Sequence, residues 1–242
     1  MLRLSTAVAA LVAPLVLAGC ASASGGDGEP SSPRGRASAV ETTPAPRRTL
    51  PAAPSESGRT TEPEPDLASD GRPRRARLTI PAIGVRGLVV EPYRGRPDDA
   101  PGTRLQDTGI AASPHGPRGG VGPGGVGNHL VTAHRTSSTR AFEDLPSLRR
   151  GDRVHLEAGG VRYTYEIVRT RWTSFRSPAS LERQTAAVPG RPGRTPTRAM
   201  VTLSTCATPE DHARGNYWSD EFGNPEHRID KIGVLVAARP GA

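Results

Sequence analysis

Lysine is almost missing from this chain: Lys231 is the only one among 32 Lys and Arg residues. Cysteine occurs twice, at Cys20 and Cys206, too few for Cys-rich zinc ligation. Aromatic residues make up 4% of the sequence, which leaves little for the stacked platforms that grip single-stranded nucleic acid. The formal charge of +8 comes almost wholly from arginines spread along the chain, with no dense basic helix, so no nucleic-acid partner is expected. Attraction to an anionic cell surface remains in keeping with that charge. With 34% hydrophobic residues beside 28 Gly and 25 Pro, the 242 residues do not supply a core for one compact body of full length. Part of the chain must lack regular structure.

What is present begins with an export signal. Met1–Cys20, MLRLSTAVAALVAPLVLAGC, places Arg3 before an apolar stretch that ends in small residues, a stretch shorter than a typical spanning helix. Its end, Leu17-Ala-Gly-Cys20, resembles the lipobox of bacterial lipoproteins, which implies lipidation of Cys20 and cleavage before it. A plain signal peptide or an uncleaved anchor fits the same residues. With Cys20 acylated no disulfide is left, and Cys206 becomes a lone thiol in an exported protein. From Ala21 to Arg75 the chain is Ser-, Pro- and Gly-rich without apolar periodicity. A disordered membrane tether of about 40 Å typical reach is expected there.

Order is expected over residues 76–242, as short strands with almost no long helix. Leu78 and Ile80 alternate with polar neighbours, and Val85–Val90 resumes after Pro81. Gly95–Gly127 reads as a Gly/Pro-rich loop; it lacks the Lys-Ser/Thr of a phosphate cradle. His129–His134 reads as a strand and Phe142–Leu148 as a helical turn. Gly159-Gly160 joins a strand after Asp152 to Val161–Val168 as a hairpin. After a polar loop over Ser174–Thr197 come AMVTLSTC and HRIDKIGVLVAA. The fold class is therefore all-β, a barrel or sandwich.

Acyl transfer on a thiol needs a base or acid within reach, a group to hold the developing oxyanion, and an open site. His134 ends one expected strand, Cys206 ends another and Arg228 begins a third, so all three can meet over one rim of a barrel. The order and spacing of these residues resemble the sortase family of cysteine transpeptidases. Thr202-Leu-Ser-Thr-Cys206 matches its TLxTC signature. GNHLVTAHR resembles its strand ending in a histidine, and EHRIDKIGVLV its last strand with an arginine. IPAIGV and FEDLPSLRRGDRV resemble its first strand and its Gly-Asp passage. Among subgroups the likeness is to actinobacterial class E enzymes.

The resemblance implies a closed β-barrel of about eight strands. It implies Cys206 as nucleophile, His134 as general acid/base and Arg228 as stabiliser of oxyanion and substrate, with Thr205, Trp218 and Ala133 contacting substrate. No cofactor is expected, and no pair of histidines has a metal-ligand spacing, so no metal is expected either. The substrates are LPXTG-type surface proteins, with LAXTG the class E form. They are cut between Thr and Gly through a thioacyl intermediate and passed to the amine of a peptidoglycan precursor. The expected place is the outer face of the membrane of a Gram-positive, actinobacterial cell. The long segment after Cys206, with Trp218, Asp220, Glu221 and Phe222, is read as a substrate-selecting flap. Asp211, Asp220 and Glu221 are read as solvated loop charges, and His115, His129, His155, His212 and His227 as surface or packing groups. His212 or His227 is also placed to modulate the loop near the thiol. An L,D-transpeptidase is disfavoured because Cys206 lies between Thr205 and Ala207 rather than in a Gly-Cys-x-Arg passage. A papain-like hydrolase is disfavoured because the histidine precedes the cysteine. A tethered binding module with a sortase barrel and no turnover is the alternative from another class.

Overall fold

The computed structural model describes residues 67–241, so the export segment with Cys20 and the tether up to residue 66 lie outside the described residues. Eight strands close a barrel. They are β1 (Ala76–Ile80), β2 (Val85–Arg94), β3 (Ala111–His115), β4 (Gly127–Thr132), β5 (Arg153–Ala158), β6 (Val161–Ser174), β7 (Ala199–Cys206) and β8 (His227–Pro240). Their order around the barrel is β1-β2-β3-β4-β7-β8-β6-β5. The β2–β3 and β4–β7 pairs are parallel and the rest antiparallel.

Period-two alternation builds the interior. Ala76, Leu78 and Ile80 of β1, Val154, Leu156 and Ala158 of β5, and Tyr163, Tyr165 and Ile167 of β6 are buried in one cluster with Val201 and Leu203 of β7. The β5–β6 hairpin turns on Gly159 and Gly160, at φ 59° and 77°, the left-handed pair that a two-residue turn between twisted strands demands. Irregularities in β6 at Thr164/Tyr165 and Ile167/Arg169 bend the longest strand pair, as closure of a small barrel needs.

Several expectations change. The Gly95–Gly127 stretch contains helix α1 (Ala100–Asp107) and strand β3. Helix α1 is capped by Asp99, whose side chain accepts the Gly102 N–H. Strand β3, Ala-Ala-Ser-Pro-His, is carried by parallel pairing with β2 and not by strand propensity. The polar loop after Ser174 contains α2 (Pro178–Thr185), capped by Ser177 with proline in the first turn. A third helix, α3 (Thr208–Ala213), follows the cysteine strand. Finally, residues 67–75, expected in the tether, are tied to the barrel. Ser69 Oγ donates to the Pro123 carbonyl and Gly122 N–H to the Gly71 carbonyl.

Candidate active site

Strand register brings the three chemical groups together. In the β7–β8 pair Cys206 stands opposite Arg228. In the parallel β4–β7 pair Thr132 stands opposite Ser204, and the chains stay side by side beyond it, because Ala133 N–H donates to the Ser204 carbonyl. His134 and Cys206 lie two residues further along their strands. On β7, Leu203 joins the apolar core, so Thr202, Ser204 and Cys206 take the opposite, outer face. The same parity puts His134 and Arg228 on that face, at one end of the barrel.

Arg228 is the most constrained of the three. It is 1% exposed, with Nη1 donating to Cys206 Sγ at 2.7 Å, Nε to Asp98 Oδ2 at 3.0 Å and Nη2 to Asn224 Oδ1 at 2.7 Å. Its guanidinium carbon lies 4.7 Å from the centre of the Phe175 ring. Burial works against the cation, but the carboxylate of Asp98 and the sulfur more than offset it, so Arg228 stays charged. Burial pushes the Cys206 thiol above its ordinary range; Arg228 pulls it back in part and Asp98 opposes that pull. The resting sulfur is therefore mainly a neutral thiol at neutral pH.

His134 Nε2 lies 2.8 Å from Asp107 Oδ1 at the end of α1. A carboxylate only accepts, so Nε2 carries the proton and Nδ1 is the free base of the neutral ring. The main chain of His134 is fixed as well, its carbonyl accepting the Phe142 N–H at 2.9 Å. Arg135, the next residue, donates to the Cys206 carbonyl and forms a two-pronged pair with Glu210 of α3.

Under these groups the outer face is polar and buried. Gln184 of α2 donates through Nε2 to Ser204 Oγ and to Asp230 Oδ1. Asp230 also accepts from Thr173 and Arg171. A cavity of about 610 Å³ opens beside Asp98 and Phe175, lined also by Arg96, Leu181, Trp218 and Phe222. It touches the surroundings of Arg228 and does not reach Cys206 or His134 themselves.

Trp218 thus lines the cavity, with the Arg176 guanidinium 6.0 Å from its ring centre. Thr205 and Ala133 do not line it. Each is 2% exposed, and Thr205 Oγ1 donates to the Ala133 carbonyl at 2.8 Å, so in place of the expected substrate contact they clip β7 to the end of β4. Asp211 is a buried anchor and not a solvated charge, accepting from the His227 main chain at 3.0 Å and lying 2.7 Å from His227 Nδ1. Asp220 is likewise structural. Its carboxylate accepts from the main chains of Phe222 and Asn224 and so shapes the loop that holds Asn224 against Arg228. Glu221 is exposed on the cavity rim. Sequence reasoning missed Asp98, Asp107, Phe175 and Asn224. All four sit in loops or helix ends, where no periodicity marks a partner.

Three comparisons bear on this arrangement. The family model described as Sortase domain matches residues 78–218. No curated protein matches. Among solved structures, the SrtA sortase of Actinomyces oris aligns with a TM-score of 0.53 at 16% identity, covering 73% of this chain and 90% of its own. Sortase E1 of Streptomyces coelicolor, solved with a tripeptide in its active site, aligns at 0.52 and 19%, covering 72% and 93%. Sortase E of Streptomyces avermitilis aligns at 0.50 and 23%, covering 70% and 91%. At these identities the structural likeness speaks for the shared barrel.

Proposed function

The chain belongs to the sortase family of cysteine transpeptidases, and from that premise we propose that it cuts an LPXTG-type sorting signal, in the LAXTG form, between Thr and Gly. The observation that carries this reading is the register match of Cys206 with Arg228, with His134 at the same end of the neighbouring strand. Cys206 Sγ attacks the Thr carbonyl carbon as the thiol proton passes to His134. Arg228 Nη1, already beside the sulfur, is placed to hold the oxyanion that develops. The C–N bond then breaks, with the imidazolium protonating the departing glycine amine. A thioester remains on Cys206. The amine of a peptidoglycan precursor attacks it, gives its excess proton to His134 and expels the thiol.

The neutral resting thiol suits this sequence, since proton transfer to a neutral imidazole and attack on the carbonyl occur together. Trp218 and Phe222 give the cavity an apolar wall for the residues before the Thr. The export segment and Cys20 support a place on the outer face of the membrane, tethered by lipid.

The test is turnover of a fluorogenic LAXTG peptide by the wild type and by Cys206→Ala. The expected loss is on the order of 1,000-fold or more, because Cys206 is the only thiol among the described residues. Mass spectrometry should find an acyl adduct on Cys206. Turnover that survives the substitution overturns the proposal, and retention of peptide without cleavage assigns the binding-module alternative. Labelling with a palmitate analogue, lost in Cys20→Ala, tests the lipid.

A further inference from the structure

Asp98 is the most unusual residue near the site. It has φ 57°, a left-handed conformation that is disfavoured for a non-glycine residue, yet it is only 6% exposed. Strain held in a buried loop needs a compensating contact, and Asp98 makes several. Oδ2 accepts from Arg228 Nε at 3.0 Å, Oδ1 from Gln106 Nε2 at 3.0 Å, and its carbonyl from Asn224 Nδ2 at 3.3 Å. Asn224 in turn accepts from Arg228 Nη2. Two segments far apart in the chain are therefore joined along the Nε–Nη2 edge of the guanidinium and to each other, which leaves Nη1 aimed at Cys206 Sγ.

We propose that Asp98 is a positioning residue which orients Arg228 toward the sulfur and balances its charge, so that the thiol is kept protonated until substrate is bound. This rests on the reading of Cys206 and Arg228 as working groups. A buried guanidinium at 2.7 Å from a thiol stabilises the thiolate, and a free thiolate with no substrate is open to alkylation and oxidation. A carboxylate on the far side of the same guanidinium removes much of that pull. When substrate arrives, the developing oxyanion takes the place of the thiol sulfur as the group that Arg228 Nη1 meets. Asp98 then acts only by holding the geometry.

The remaining charges around the sulfur do not supply this balance. Arg135 reaches the Cys206 main-chain carbonyl and is paired with Glu210 of α3. Asp220 acts on Arg228 but spends its carboxylate on the loop main chain. His134 is held by Asp107. Among the described residues, Asp98 alone forms an ion pair with Arg228.

The experiment uses the exported chain, with Asp98→Asn and Asp98→Gly, both residue types that accept a positive φ. The rate of Cys206 alkylation by iodoacetamide is followed against pH, and turnover of the LAXTG peptide is measured beside it. In both variants the alkylation midpoint is expected to move to lower pH, and kcat to fall about tenfold to a hundredfold while KM changes less. An unchanged or raised midpoint in a folded variant overturns the proposal. The alkylation readout needs no transpeptidation. A lowered midpoint with no peptide turnover in the wild type therefore keeps the Asp98 assignment and sinks the sorting reading instead.

Discussion

At the scale of single residues, each member of the site is held by a partner from another stretch of chain. His134 is the clearest instance. Its ring is oriented by Asp107, 27 positions earlier, and the carboxylate fixes which nitrogen is free to take a proton. Asp107 is 59% exposed in its side chain, so water shares in the interaction and its share in catalysis is small. Asp107→Asn is expected to lower kcat about three- to tenfold with KM little changed, measured on the fluorogenic peptide; a hundredfold loss would mean that the carboxylate does more than orient the ring. TLxTC and the upstream histidine made Cys206 and His134 legible from sequence. Asp107 was not legible, because its role exists only once α1 folds back beside the end of β4.

Among elements, the segment after β4 does structural service for the site. Phe142 is fully buried in the core cluster, and its N–H holds the His134 carbonyl. The chain between them is thus pinned at both ends. Truncation as Phe142→Ala leaves a cavity under this loop and is expected to cost about 3–5 kcal/mol in denaturant unfolding. The main-chain N–H to the His134 carbonyl is kept but loses its anchor in the core, so activity measured well below the melting temperature should fall further than the loss of folded protein explains. The hairpin at Gly159-Gly160 was readable because two left-handed residues in a row leave few alternatives to glycine. The Ser177-Pro178 pair before α2 was an equally physical start signal, a cap followed by proline, and it went unread inside a run of polar residues.

Across the whole barrel, one buried group links folding to pH. His129 on β4 is 1% exposed, with Nδ1 2.8 Å from the Val121 carbonyl and Nε2 without a partner among the described residues. Burial pushes its pKa down from 6.5 to about 4. The unfolded chain then binds a proton between these values that the folded barrel refuses. Stability is complete above pH 6.5, falls as pH drops through the window, and levels below about pH 4. The loss from this group amounts to about 3 kcal/mol. Thermal unfolding followed from pH 7 to pH 4 should show that decline, and His129→Leu should flatten it. A wild-type curve flat across the window would mean that His129 does not stay neutral in the fold. The sequence reading placed His129 among packing groups. Its depth and its unpartnered nitrogen come only from the neighbours that close around β4.

Sequence by itself determined the alternation that makes strands, the glycine pair that makes the hairpin, and the choice of Cys206, His134 and Arg228 as candidate site residues. Those features are local: side-chain period, turn conformation and a short motif each act within a few residues of chain. The tertiary structure alone decided that Cys206 faces Arg228 across one register, that Asp98 sits behind the guanidinium from 130 positions away, and that Thr205 is turned inward. A buried ion pair or a parallel register has no local signature, because its free energy arises from desolvation and contact between segments that meet only when the barrel closes.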